Sequence, residues 1–242
     1  MNGLFNLPAP LFDLIDHALA GALPSGVRIA LWAFVTSLLS MGLYWLLSPQ
    51  SRIAGAKAQA REARRALEGY DGDLADAGPL IRAQFAAVFR QIAYVLPASL
   101  AAIVPVLCVL SWADARFSYT LPAPGASPPE LVVEPSRYEA KWSPEQVPPR
   151  VVVSDPAQSE ELREFPITHA IPVIEQRRWW HALFGNPLGY LPDAGGVTRI
   201  EMRLPSQRHQ PFGPEWLGSW LAIFLPVMVL ASFTVLRVGK IH

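Results

Sequence analysis

The chain has 242 residues, 51% of them hydrophobic and only 17% charged, with a formal net charge of zero and a single cysteine. That balance is too apolar for a disordered chain and gives no overall charge for general nucleic-acid binding. One cysteine excludes an intrachain disulfide.

The apolar excess is concentrated in three runs, 29–47, 92–112 and 216–236, none of which contains Asp, Glu, Lys or Arg. About 20 apolar residues are needed to cross a hydrocarbon core of about 30 Å, and each run meets that length. Their ends carry aromatics of the kind that settle at a membrane interface: Trp32, Tyr44 and Trp45, then Tyr94 and Trp112, then Trp216 and Trp220. The fold class expected is an α-helical membrane protein with three transmembrane helices. Taken in chain order, the segments are an interfacial helix in 1–27, a span at 28–48, a hairpin at 49–91, a span at 92–112, an outer domain at 113–213, and a third span with its tail at 214–242.

The stretch "LPAPLFDLIDHALAGALP" is too short to span. Leu11, Phe12, Ile15 and Leu19 can share one helical face with Asp13, Asp16 and His17 elsewhere, which suits an interfacial helix on the outer leaflet or a helix packed on the outer domain. No basic residue precedes Arg28, so the first span reads as retained rather than as a cleaved signal. Within span one, Thr36, Ser37, Ser40 and Tyr44 form one polar stripe, and Ser99 lies between Pro97 and Pro105 in span two. Such hydroxyls either line a polar groove or join neighbouring helices.

After Ser48-Pro49 comes a basic, alanine-rich helix. Ile53, Ala56, Ala60, Ala63, Leu67 and Tyr70 recur at the spacing of a heptad seam, and Ile81, Phe85, Val88 and Ile92 recur likewise beyond the turn "GYDGDLADAGP". Two seams around a turn predict an antiparallel coiled-coil hairpin, with the large residues of the second arm facing the alanines of the first. Lys57, Arg61, Arg64 and Arg65 fall away from the seam, where they either meet phosphate in lipid headgroups or ribosomal RNA, or form a solvated face. The concentration of basic residues between spans one and two, with Arg237 and Lys240 after span three, places 48–91 and the C-terminus in the cytoplasm and the N-terminus and 113–215 outside.

This plan resembles the YidC/Oxa/Alb insertase superfamily, and in particular its short members: the archaeal YidC-like proteins, the TMCO-type proteins and the insertase subunit of the ER membrane protein complex. The residues that carry the likeness are "LYWLLSPQSRIAGAKAQAREARRALEGYDGD" and "RQIAYVLPASLAAIVPVLCVLSWADAR", with a proline after span one, a basic first arm and a proline-bearing second span ending in tryptophan. The chain departs from the short members in placing about 100 residues between its last two spans, and no arginine lies deep within a span. The resemblance implies a groove that passes polar segments of nascent membrane proteins across the bilayer. It also implies a bacterial inner-membrane location, no cofactor, and as partners the lipid bilayer and the ribosome or a translocation machine.

In 113–215 a Pro/Gly/Ser linker precedes four β-branched runs, "LVVEP", "RVVVS", "THAIPVIEQ" and "VTRIEMRLP", bounded by turn residues. They predict a small, mostly β, sandwich-like domain, capped by a short helix and turn at "WWHALFGNPLGYLP" with Trp179 and Trp180 filling its core. No nucleophile elbow, zinc helix or phosphate loop occurs, and five scattered histidines give no metal-ligand spacing, so no catalytic site is expected. The competing functional reading is a membrane-anchored interaction protein that presents the β domain to an envelope partner.

Overall fold

The structure, a computed structural model, describes residues 3–72, 77–123, 125–156, 160–193, 196–210 and 213–239. Lys240, part of the charge pattern above, and positions 73–76 of the hairpin turn lie outside the described residues. Among the described residues, five α-helices and two three-stranded sheets make a mixed helical and β protein. The helices are α1 (Ala9–Ala20), α2 (Ser25–Leu47), α3 (Gln50–Glu68), α4 (Gly78–Phe117) and α5 (Leu221–Gly239). By Cα proximity the chain divides into two compact units, Met1–Ala30 with Leu107–Phe224, and Leu31–Val106 with Leu225–His242.

Among the described residues two helices, α2 and α4, are long and apolar enough to cross a membrane, and α5 is a shorter apolar helix. The third apolar run does not start its helix at Trp216: Glu215–Gly218 forms a 3-10 turn after Pro214, and α5 begins at Leu221. Nor does a boundary separate the second hairpin arm from the second apolar run. Both belong to the 40-residue α4, which carries Pro97 and Pro105 inside it. Ser48-Pro49 does end α2, as expected where proline disfavours helical backbone in the preceding residue.

In the first unit, α1 packs through its acidic side. Trp112 Nε1 donates to Asp13 Oδ1 at 2.8 Å, and Phe12 meets the Trp112 ring edge-on. Asp16 is fully buried and pairs with Arg28 and, at 3.4 Å, with Arg116 Nε. Pairing of 13 with 112 and 16 with 116 aligns α1 in parallel with the last turns of α4. Leu11, Leu14 and Ile15 are left exposed, so this part of the helix's apolar surface faces away from the protein while Phe12 is turned to Trp112. Gly3 permits a close backbone approach: a Cβ there would lie 2.3 Å from the Gly185 nitrogen.

The β-strands are β1 (Leu131–Glu134), β2 (Glu139–Ser143), β3 (Arg150–Asp155), β4 (Glu160–Pro166), β5 (Val173–Glu175) and β6 (Arg199–Met202). They form antiparallel sheets ordered β1-β6-β5 and β2-β3-β4. Val133, Ile174, Ile200 and Met202 of the first sheet and Trp142, Val151 and Val153 of the second share one core. All four expected β-branched runs contain a strand. The polar β2 and β4 are added by pairing on either side of β3. Trp179 does not fill the core: it is 79% exposed, at the start of the 3-10 turn Trp179–Ala182. The buried member of that turn is His181, whose Nδ1 accepts from the Arg178 amide and whose Nε2 lies 3.1 Å from Glu175.

Candidate functional site

In the second unit, the first hairpin arm packs as its sequence predicts as far as Leu67, whereas Tyr70, expected in the same seam, lies beyond the end of α3 and is exposed. On α3, Ile53 and Ala56 are buried and Ala60, Ala63 and Leu67 half-buried, while Lys57, Arg61, Arg64 and Arg65 are exposed. Arg64 pairs with Glu68 one turn on at 2.7 Å. Across the pair, Arg90 donates to Gln59 Oε1 at 3.1 Å.

The second arm is displaced by one position from its predicted seam. Leu80, Gln84, Gln91 and Tyr94 are half-buried and Ala87 and Ala98 buried, a 4-3-4-3-4 spacing. Ile81, Phe85, Val88 and Ile92, expected to face the alanines, are exposed. The physical reason lies in what the first arm offers: Ala56, Ala60 and Ala63 present little apolar surface with which to cover a phenyl ring. The side of α4 that is covered instead carries Ala87 and Ala98 with Gln84 and Gln91.

The consequence is an unpartnered apolar track. Ile81 (36% exposed), Phe85 (60%), Phe89 (66%), Ile92 (48%), Leu96 (49%), Leu100 (57%) and Ile103 (46%) lie along α4. Their steps of 4, 4, 3, 4, 4 and 3 average 3.67 residues per turn, so they stay on one face of a helix for about 33 Å. The rings of Phe85 and Phe89 stack at 6.5 Å. The lower part of the track is flanked by Arg82, Gln84, Arg90 and Gln91, whereas 92–112 has no ionisable Asp, Glu, Lys or Arg. One face thus runs from a polar, basic arm into a charge-free helix without interruption. Phe89, Leu96, Leu100 and Ile103 have no place in the heptad pattern; with Ile92 they recur at steps of 3, 4, 4 and 3, which is the signal that marks them.

Three hydroxyls of the stripe on α2, those of Thr36, Ser37 and Ser40, are buried and hydrogen-bonded. Thr36 Oγ1 donates to the Trp32 carbonyl at 2.7 Å, Ser37 Oγ lies 2.9 Å from Ser232 Oγ of α5, and Ser40 Oγ donates to the Ala102 carbonyl of α4 at 2.5 Å. The contacts of Ser37 and Ser40 join α2 to both other apolar helices, while that of Thr36 stays within α2. Tyr44 and Ser99 are half-buried, and Ser99 lies beside Leu96 in a shallow recess of about 200 Å³ with Gln91, Ile92 and Val95.

A different polar group sits at the α2–α3 elbow. Ser48 Oγ and both amide atoms of Gln50 are buried without a hydrogen-bond partner among the described residues. Each such group costs about 1–3 kcal/mol if left unsatisfied, so the elbow is a place where water or another chain's polar atoms are favoured. Among the described residues no cluster of His, Cys, Asp and Glu could hold a metal ion. Set against known protein families, curated proteins and solved structures, the chain matches none.

Proposed function

We propose that this protein is a membrane-protein insertion factor, an insertase or insertion chaperone, in which α2, α4 and α5 cross the bilayer and the α3–α4 hairpin stands in the cytoplasm. The observation that carries this reading is the apolar track on α4. A soluble protein buries such a face, and a simple membrane anchor needs it only within the hydrocarbon; here it continues onto the basic arm, where Phe85 and Phe89 lie most exposed. A hydrophobic segment of a nascent chain can rest on this face while still in water and follow it into lipid, burying apolar surface throughout. Apolar windows of α2 and α4 that are only 33% and 17% buried support the bilayer placement, because a soluble core helix hides most of its surface. The basic residues of 48–91 support the orientation, and Lys57, Arg61, Arg64 and Arg65 are placed to meet lipid or ribosomal phosphate.

In this reading the path differs from the hydroxyl groove implied by the resemblance. Ser37 and Ser40 hold the helices together, the α4 track guides apolar client segments, and the elbow at Ser48 and Gln50 offers polar partners. A photo-crosslinker placed in turn at Phe89 and at Leu96 tests this. Both positions are expected to capture nascent membrane proteins, Phe89 at shorter chain lengths than Leu96. Capture of lipid alone at both positions refutes the proposal and leaves the membrane-anchored interaction protein, for which the exposed Trp179 is the best anchor.

A further inference from the structure

The first unit contains a cavity of about 650 Å³ between α1, the last turns of α4 and the loops around His169 and Gly185. Its wall combines apolar surface from Pro10, Leu14 and Trp112 with the charged side chains of Asp13 and Arg116. Both charges have unused hydrogen-bonding capacity among the described residues. Arg116 contacts Asp16 through Nε, and its two Nη groups have no protein partner. Asp13 Oδ1 accepts from Trp112, and its Oδ2 has no protein partner. Asp16 is already shared with the nearly buried Arg28, so it does not neutralise Arg116 alone.

We infer that this cavity binds the headgroup of a zwitterionic phospholipid with a primary ammonium group, the phosphate on Arg116 and the ammonium on Asp13. Trp112 and Arg116 are one turn apart on α4, and Trp112 holds Asp13 opposite the turn before Arg116. The two charges are therefore about one helical turn apart, a separation suited to a phosphate and an ammonium joined by a two-carbon bridge. A guanidinium with free Nη groups matches phosphate oxygens, and a carboxylate oxygen accepts from an ammonium N–H. One cation and one anion facing the same space select against a headgroup of net negative charge. The lipid source, rather than a soluble phosphate, follows from the apolar surface beside the charges. Leu14 borders the cavity and is 69% exposed, and Leu11, Ile15 and Leu7 continue that surface along the same segment, where acyl chains would lie.

This assignment does not depend on client insertion and shares with it only the placement in a bilayer. The test is native mass spectrometry of the full chain in detergent, with phosphatidylethanolamine, phosphatidylcholine or phosphatidylglycerol added at equal concentration. Choline cannot donate a hydrogen bond to Asp13, so retention of phosphatidylethanolamine is expected to exceed that of phosphatidylcholine about tenfold. Asp13→Asn keeps an oxygen for Trp112 but removes the charge, and is expected to bring the two lipids level while adducts persist. Arg116→Gln is expected to reduce both, and Arg116→Lys to restore part of the loss. Equal retention of all three lipids by the natural chain overturns the inference, as does an unchanged ethanolamine preference in Asp13→Asn. Soluble phosphoethanolamine binding as tightly as the lipid overturns the lipid assignment. A chain that keeps its lipid but captures no client, or the reverse, separates this inference from the insertion reading.

Discussion

Replacing both Phe85 and Phe89 by serine separates the track's two possible roles. The rings are 60% and 66% exposed, so little of their surface supports the hairpin, and substitutions at such sites usually change stability by within about 0.5 kcal/mol. Client binding is another matter. Burying a whole phenylalanine contributes about 1.5–3 kcal/mol, so covering the exposed part of each ring contributes about 1–2 kcal/mol, and both rings about 2–4 kcal/mol. A client that reaches half of that surface loses about 1–2 kcal/mol in the variant, a fall of about 5- to 30-fold in residence on the track. The assay is the yield of crosslinks from Leu96 to a nascent apolar segment, beside a thermal melt of the purified chain. Ala87→Leu is the control: its site is 9% exposed, and overpacking there costs about 1–3 kcal/mol. The reasoning predicts a stable double variant with weak capture and an unstable Ala87→Leu. A double variant that melts early with the natural level of capture among folded molecules refutes it, because the phenyl rings would then belong to the hairpin's own packing.

Three further outcomes follow from the same structure. Ser37→Leu with Ser40→Leu places bulk where α2 meets α5 and α4, and a loss of about 1–3 kcal/mol per site in detergent unfolding is expected; unchanged stability would mean that the stripe faces open space. His209, in the first unit, donates from Nε2 to the Phe117 carbonyl at 2.8 Å and accepts at Nδ1 from Ser25 at 3.0 Å. Burial holds its pKa below the ordinary 6.5, the nearby Arg28 adds to that, and the Phe117 carbonyl opposes it. Above 6.5 both folded and unfolded chains are neutral at this site; as pH falls below that value the unfolded chain takes up the proton first, so stability decreases. The slope of melting temperature between about pH 7 and about pH 5 should therefore flatten in His209→Gln, and an unchanged slope would assign the acid sensitivity elsewhere. For orientation, cysteines at the exposed positions Asp71 and Ser127 should respond oppositely to a membrane-impermeant thiol reagent in intact cells, Ser127→Cys labelled and Asp71→Cys shielded; the reverse pattern would overturn the cytoplasmic hairpin.

Much of the architecture is carried by local pattern. Charge-free runs mark α2 and the second half of α4, the 3-4 spacing of Ile53, Ala56, Ala60, Ala63 and Leu67 marks the buried face of α3, and β-branched runs mark β1, β3, β5 and β6. These features are legible because each element's own residues decide them: a helix or strand repeats its buried side at a fixed period. The polar strands β2 and β4 are not legible, since their backbone hydrogen bonds come from β3 rather than from any preference of "EAKWS" or "EELREFP". Tertiary structure also decided which face of α4 is buried. Of two helical faces one residue apart, the one with Leu80, Ala87 and Ala98 beside Gln84 and Gln91 is covered, and Phe85 and Phe89 are turned outward although they are the more apolar. The same holds for Asp16. Sequence places it on the polar side of an amphipathic helix, but Arg28 and Arg116, 12 and 100 residues away, make it the buried side. Periodicity shows which residues share a face; what that face meets depends on partners distant in the chain, and the candidate track and cavity both arise at that level.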